Sequence, residues 1–143
     1  MTDKHSTNEL LDLILMVSMM VRENVKQQTA KHQLSIIHLW ALRFVAEHKN
    51  PTMRDIATFL NISAPSATSF VETLLKSGYL VRELDETDRR VVRIVLSKSG
   101  HQLYQQIISG VKLKIGDLVQ VLNTEERKGL NLALGALAKK INE

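Results

Sequence analysis

The chain has 143 residues, 44% of them apolar and 24% charged, a size and balance that suit one folded domain with a usable core rather than two large ones. Its 19 basic and 15 acidic residues leave a formal charge of +4, compatible with a nucleic-acid partner without demanding one. Cysteine is absent, which excludes disulfides, thiolate zinc sites and peroxide sensing by a reactive thiol.

The opening residues, MTDKHSTNE, are polar and partly acidic. They do not read as a signal or transit peptide, so a cytoplasmic location is expected. Leu10 to Val21 is apolar almost all the way round a helix, interrupted by Asp12 and Ser18. That run is shorter than the roughly 20 residues that cross a bilayer, so no membrane association is expected. A helix greasy on every side must be covered on every side, and a second copy of the chain is the expected cover. Met16, Met19 and Met20 within it serve either as packing or as the lining of an adaptable ligand site.

Lys26 to Leu34 reads as a polar connection. Ser35 then caps a helix carrying Ile36, Ile37, Leu39, Trp40, Phe44 and Val45, and Pro51 disfavours helix at the residue before it. Trp40 and Phe44 lie one turn apart and share a face. They are read as core beneath the segment that follows; the alternative use, with Met16 and Met20, is the wall of an effector pocket.

Thr52 is a good N-cap, and Asp55 three residues later can return a hydrogen bond to the cap amide. Ile56, Ala57 and Leu60 fall on one face, and Asn61 accepts the left-handed backbone that ends a helix. Ser63 is a second N-cap candidate, so two helices meet across a turn of about three residues. Pro65 is tolerated in the first turn of the second helix. Ser66, Thr68 and Ser69 crowd its leading half, while Phe70, Val71, Leu74 and Leu75 make its trailing half apolar. Short hydroxyls at the leading end suit insertion into a major groove, although Ser and Thr also collect at ordinary helix starts.

Gly78 ends that helix in the left-handed region. Two strands are expected at Tyr79 to Leu84 and Val91 to Leu96, with Val92, Ile94 and Leu96 on one face and Arg93 on the other. The loop between them, Asp85 to Arg90, holds five charges in six residues. Asp85 or Asp88 can accept from a neighbouring guanidinium and hold it extended, leaving Arg89 or Arg90 as a rigid probe for a narrow minor groove. A solvated hairpin with weak surface ion pairs is the plainer alternative.

The run NISAPSATSFVETLLKSGYLVRELDETDRRVVRIVLSKSG resembles the recognition helix and wing of the multiple antibiotic resistance regulators, the MarR family of bacterial transcription factors. The most specific matches are Leu74 with Gly78, then Arg82, then Asp88, Arg89 and Arg90, then Leu96 with Gly100. Departures fall at Ser69, where members often carry a basic residue, and at Thr87, where they often carry an additional arginine. The resemblance implies that Ser63 to Leu75 enters the major groove and that Arg89 or Arg90 enters the adjacent minor groove. The expected DNA-contacting set is Ser63, Pro65, Ser66, Thr68 and Ser69 on the helix, Arg54 before it, and Arg82, Asp88, Arg89 and Arg90 on the wing.

Beyond the wing, Ser97 caps a long helix with Leu103, Ile107, Val111, Ile115, Leu118 and Leu122 on one stripe, in which Gly110 and Gly116 permit bending or close packing. Asn123 with Glu126 resembles a capping box for a last helix bearing Leu130, Leu134, Leu137 and Ile141, with Lys139 and Lys140 against its dipole.

The expected fold is therefore mainly α with a small β-hairpin: a winged helix-turn-helix over 35–97, with dimerisation helices over 1–34 and 98–143. No phosphate loop, nucleophile elbow or HExxH is present, and the histidines, His5, His32, His38, His48 and His101, are scattered. No enzyme activity, cofactor or metal is expected. The expected function is a homodimeric, sequence-specific DNA-binding regulator, a repressor of a pseudo-palindromic site modulated by a small ligand. The alternative is a winged-helix module that contacts protein instead of DNA.

Overall fold

The computed structural model describes residues 4–141, without the side chains of residues 4–6. The outer ends of the two expected dimerisation segments, 1–3 and 142–143, lie outside the described residues. The order is α1 (Lys4–Ala30), α2 (Ile36–Glu47), α3 (Met53–Leu60), α4 (Ala64–Lys76), β1 (Leu80–Leu84), β2 (Val92–Leu96), α5 (Lys98–Val119) and α6 (Thr124–Ile141). The chain divides into two compact units, the first ending at Val111 and the second beginning at Lys112.

In the first unit, α1 continues through most of the stretch expected as a connection from Lys26. Gln and Lys have good helix propensity despite their polarity, and the helix stops only at Ala30, where the chain turns through Gln33 at φ +58°. Ser35 begins α2 as expected, its amide donating to His38 Nδ1 at 3.1 Å. The α3 cap is a reciprocal box: the Thr52 amide donates to Asp55 Oδ2 at 2.7 Å and the Asp55 amide to Thr52 Oγ1 at 3.2 Å. The Thr52 amide and the Thr52 hydroxyl, both donating to Asp55 Oδ2, hold that carboxyl below its ordinary pKa. Asn61 closes α3 at φ +51°, and the Ser66 amide donates to Ser63 Oγ at 3.3 Å to open α4. At the far end of α4, Gly78 adopts φ +75° while the Tyr79 amide reaches Leu74 O at 2.9 Å and the Gly78 amide Leu75 O at 3.0 Å, which satisfies two carbonyls the helix would leave bare.

The strands are antiparallel, with Leu80 opposite Leu96 and Leu84 opposite Val92, each one residue shorter at its start than expected. Tyr79 and Val91 spend their amides on turn bonds, to Leu74 O and Asp88 O, rather than on the ladder. The core draws on α2, α3, α4, both strands and α5: Leu42, Ile56, Leu74, Leu80, Ile94 and Ile107 are fully buried. Each such side chain contributes about 1.5–3 kcal/mol by leaving water. Phe44 lies in this core, but Trp40 does not. It is 41% exposed, with the Arg43 guanidinium 5.5 Å above its ring. Helical spacing places the two on neighbouring turns without deciding which of them faces inward.

The apolar residues of α1 from Leu10 to Met20 are 47% to 70% exposed. In the second unit, Asn123 and Glu126 form the expected box at 2.8 and 3.0 Å, and Lys139 and Lys140 occupy the last turn of α6. Leu122 falls in the turn after α5 rather than on its stripe, and Leu130, Leu134, Leu137 and Ile141 are all exposed.

Candidate nucleic-acid interface

Helix α4 is buried along Ala67, Val71 and Leu74 and turns its leading end outward. Ser63, Pro65, Ser66, Thr68 and Ser69 are all exposed there. The hydroxyls of Ser63, Ser66 and Thr68 rest on their own helix: Ser63 Oγ donates to Ser66 Oγ at 2.9 Å and Thr68 Oγ1 to Ala64 O at 2.9 Å. Lone pairs remain on each oxygen, and a rotated hydroxyl can donate elsewhere. The surface is small, polar and uncharged, shaped for close approach more than for long-range attraction.

Charge enters from the wing. Asp88 grips Arg90 with both oxygens, Oδ1 accepting from Nε at 3.0 Å and Oδ2 from Nη2 at 3.1 Å, while Oδ1 also accepts the Arg90 amide at 3.1 Å. That grip lowers the Asp88 pKa and raises that of Arg90. The Arg90 side chain is nevertheless 90% exposed, an extended guanidinium with a fixed stem. Of the two possible donors to the loop aspartates, Arg90 is thus the one engaged, and Arg89 is exposed with no ion pair among the described residues.

Asp85 takes a partner that strand alternation did not suggest. Its Oδ2 accepts from Arg93 Nε at 2.7 Å. Its Oδ1 accepts from Thr87 Oγ1 at 2.7 Å and from the amides of Thr87 and Asp88, both at 2.9 Å. The Thr87 hydroxyl, the Asp88 amide and Arg93 together push its pKa far below the carboxylate range. Both aspartates of the tip are therefore spent on shaping it, while Glu86, its third acid, is exposed. Arg82, on β1, forms an ion pair with Glu72 of α4, so its charge braces the wing root against that helix. Neither Glu72 nor Arg93 carries a sequence signal of this use, because each partner lies eight or more positions away.

Arg54 is exposed in the first turn of α3 and, with Lys49, rims a cleft of about 500 Å³ walled by Phe44, His48 and Phe59. Those rings stack, Phe44 on His48 at 4.0 Å and on Phe59 at 4.5 Å. Of the four residues expected at a ligand site only Phe44 lines this cleft; Met16 and Met20 are exposed on α1 and Trp40 on α2. Among the described residues no helix is long and apolar enough to cross a membrane.

The MarR family matches over residues 32–91, the stretch that runs from before α2 to the wing. The HTH-type transcriptional regulator FarR of Neisseria gonorrhoeae is 32% identical over 98 residues, 68% of this chain and 67% of the relative. A MarR family protein from Bacillus stearothermophilus has the same fold at a TM-score of 0.91 and 17% identity, with each chain covered in full. An S. aureus MepR mutant bound to an oligodeoxyribonucleotide matches at a TM-score of 0.69 and 22% identity, over 92% of this chain and 97% of that one. Fold and family are those of regulators rather than enzymes, and the chain belongs to the MarR family of DNA-binding transcriptional regulators.

Proposed function

We propose that the protein is a homodimeric, cytoplasmic repressor that binds a pseudo-palindromic operator. The leading end of α4, through Ser63, Pro65, Ser66, Thr68 and Ser69, enters the major groove. Arg90 enters the neighbouring minor groove, Asp88 being its clamp, while Arg54 and Arg89 approach phosphates and Arg82 holds the wing against α4. The observation that carries this reading is the bidentate grip of Asp88 on an arginine that is still 90% exposed. A narrow groove rewards a guanidinium delivered with few conformations left to lose. The DNA-bound MepR relative of the same fold supports the partner class.

Repression is the action that needs nothing beyond occupancy, since a protein on a promoter excludes the polymerase. A small ligand modulates binding by favouring one geometry of the dimer over another, for a ligand that binds both alike shifts nothing. Its site is placed against α2 at Phe44, with Trp40, Met16 and Met20 as further candidate contacts.

Selection of bound sequences from a random DNA pool tests the reading. It should return an inverted repeat with half-site centres about 10 base pairs apart or a multiple. On that operator, Arg90→Ala should lower affinity and reduce the salt slope by about one. Thr68→Glu should abolish binding. Failure to enrich any sequence at low salt would favour a protein-contacting winged-helix module instead.

A further inference from the structure

The wing is fastened to the loop between α2 and α3 at two successive carbonyls. The Ile94 amide donates to Pro51 O at 2.8 Å, and Arg93 Nη1 donates to Asn50 O at 3.3 Å. The same guanidinium reaches back through Nε to Asp85 Oδ2 at 2.7 Å. Asp85 Oδ1 meanwhile collects three donors of the wing tip. One carboxylate thus folds the loop that carries Asp88 and Arg90, and one arginine ties that carboxylate to the helix-turn-helix. The side chains of Arg93 and Asp85 are 30% and 17% exposed, against 90% for Arg90. Arg93 faces the protein where Arg90 faces away from it.

We infer that Asp85 and Arg93 are positioning residues that set the attitude of the wing, and so of Arg90, relative to α4, without contacting DNA themselves. This rests on the DNA-binding reading of the wing above. An isolated two-stranded hairpin is marginal in water, so the direction of its tip depends on what holds its base and its loop. A planar guanidinium spreads its donors over separate nitrogens in a fixed fork and so reaches both acceptors; the three donors of a lysine ammonium radiate from one nitrogen, too compact to span the two.

The test compares Arg93→Ala, Arg93→Lys and Arg90→Ala on the selected operator across a salt series, with amide exchange read at Thr87 and Asp88. Arg93→Ala should weaken binding by roughly tenfold to a hundredfold, the scale of one lost charged hydrogen bond, and its salt line should run parallel to that of the wild type. Exchange at Thr87 and Asp88 should quicken. Arg93→Lys should behave like the alanine variant although it keeps the charge. Arg90→Ala, by contrast, should flatten the salt line and leave the Thr87 amide protected. A salt slope reduced by about one in Arg93→Ala would make Arg93 a phosphate contact and overturn the inference. So would affinity and exchange both unchanged, or a lysine variant equal to wild type. If Arg93→Ala fails to fold, the lysine variant, which keeps the aliphatic stem, decides. If the wild type binds no DNA, the regulator reading fails by itself, and exchange in the Arg93 variants still decides whether the wing is latched.

Discussion

A Cβ added at Gly100 would stand 1.9 Å from the carbonyl oxygen of Tyr79, which is backbone and cannot swing aside. This is where the start of α5 is pressed against the turn between α4 and β1. Ser97 Oγ accepts the Gly100 amide at 3.0 Å, and Ser99 Oγ donates to Gly78 O at 2.9 Å. Gly100→Ala is therefore expected to destabilise the fold by about 1–3 kcal/mol, read as a lower urea midpoint. A midpoint equal to wild type would show that the junction can open without cost. Residues of this kind divide by how far away their partners lie. The caps at Thr52, Ser63 and Asn123 were legible because both members of each bond sit within three positions, where backbone geometry alone brings them together. That a loop aspartate would grip a nearby arginine was legible for the same reason, but the choice of Asp88 over Asp85 and of Arg90 over Arg89 was not. The link from Arg93 to Asn50, 43 positions away, needs the folded molecule to be seen.

Between elements, the packing of α2 on α4 contains a titratable group. His38 is buried; its Nδ1 accepts the Ser35 amide, so the ring proton sits on Nε2, which has no hydrogen-bond partner among the described residues. The ring meets Phe70 of α4 edge-on, centroids 5.4 Å apart. Burial alone lowers the pKa of His38 below its ordinary 6.5. As pH falls, the unfolded chain takes up this proton before the folded one does. The contribution is complete above about pH 6.5 and is lost as pH drops towards the folded pKa. Between pH 7.5 and 5.5 the urea midpoint of the wild type should fall more than that of His38→Gln, whose amide can still accept from Ser35. Equal falls would assign the acid sensitivity to other groups. Element types and order were legible from periodicity, capping and the Gly78 turn. The length of α1 was not, because a polar helix turn and a polar loop have the same composition. Nor was the exposure of Trp40, since spacing fixes which residues share a face and not where that face points.

For the whole molecule, the exposed apolar length of α1 and the apolar stripe of α6 exceed the scattered hydrophobics normal for a soluble surface. As proposed, a second copy covers them. Melting temperature should then rise with protein concentration, and Leu13→Glu should shift the species seen by light scattering towards monomer. It should weaken operator binding along with it, because two half-sites are no longer held at once. A wild type that stays monomeric at micromolar concentration would refute the assembly. The grip of Asp88 on Arg90 has its own outcome at this scale. Asp88→Ala removes an acid and so raises the formal charge of +4 by one, which strengthens the long-range pull of a polyanion. Encounters should become more frequent, yet each should be briefer, for an untethered finger slips out as readily as it goes in. A more cationic protein would then hold its operator less well.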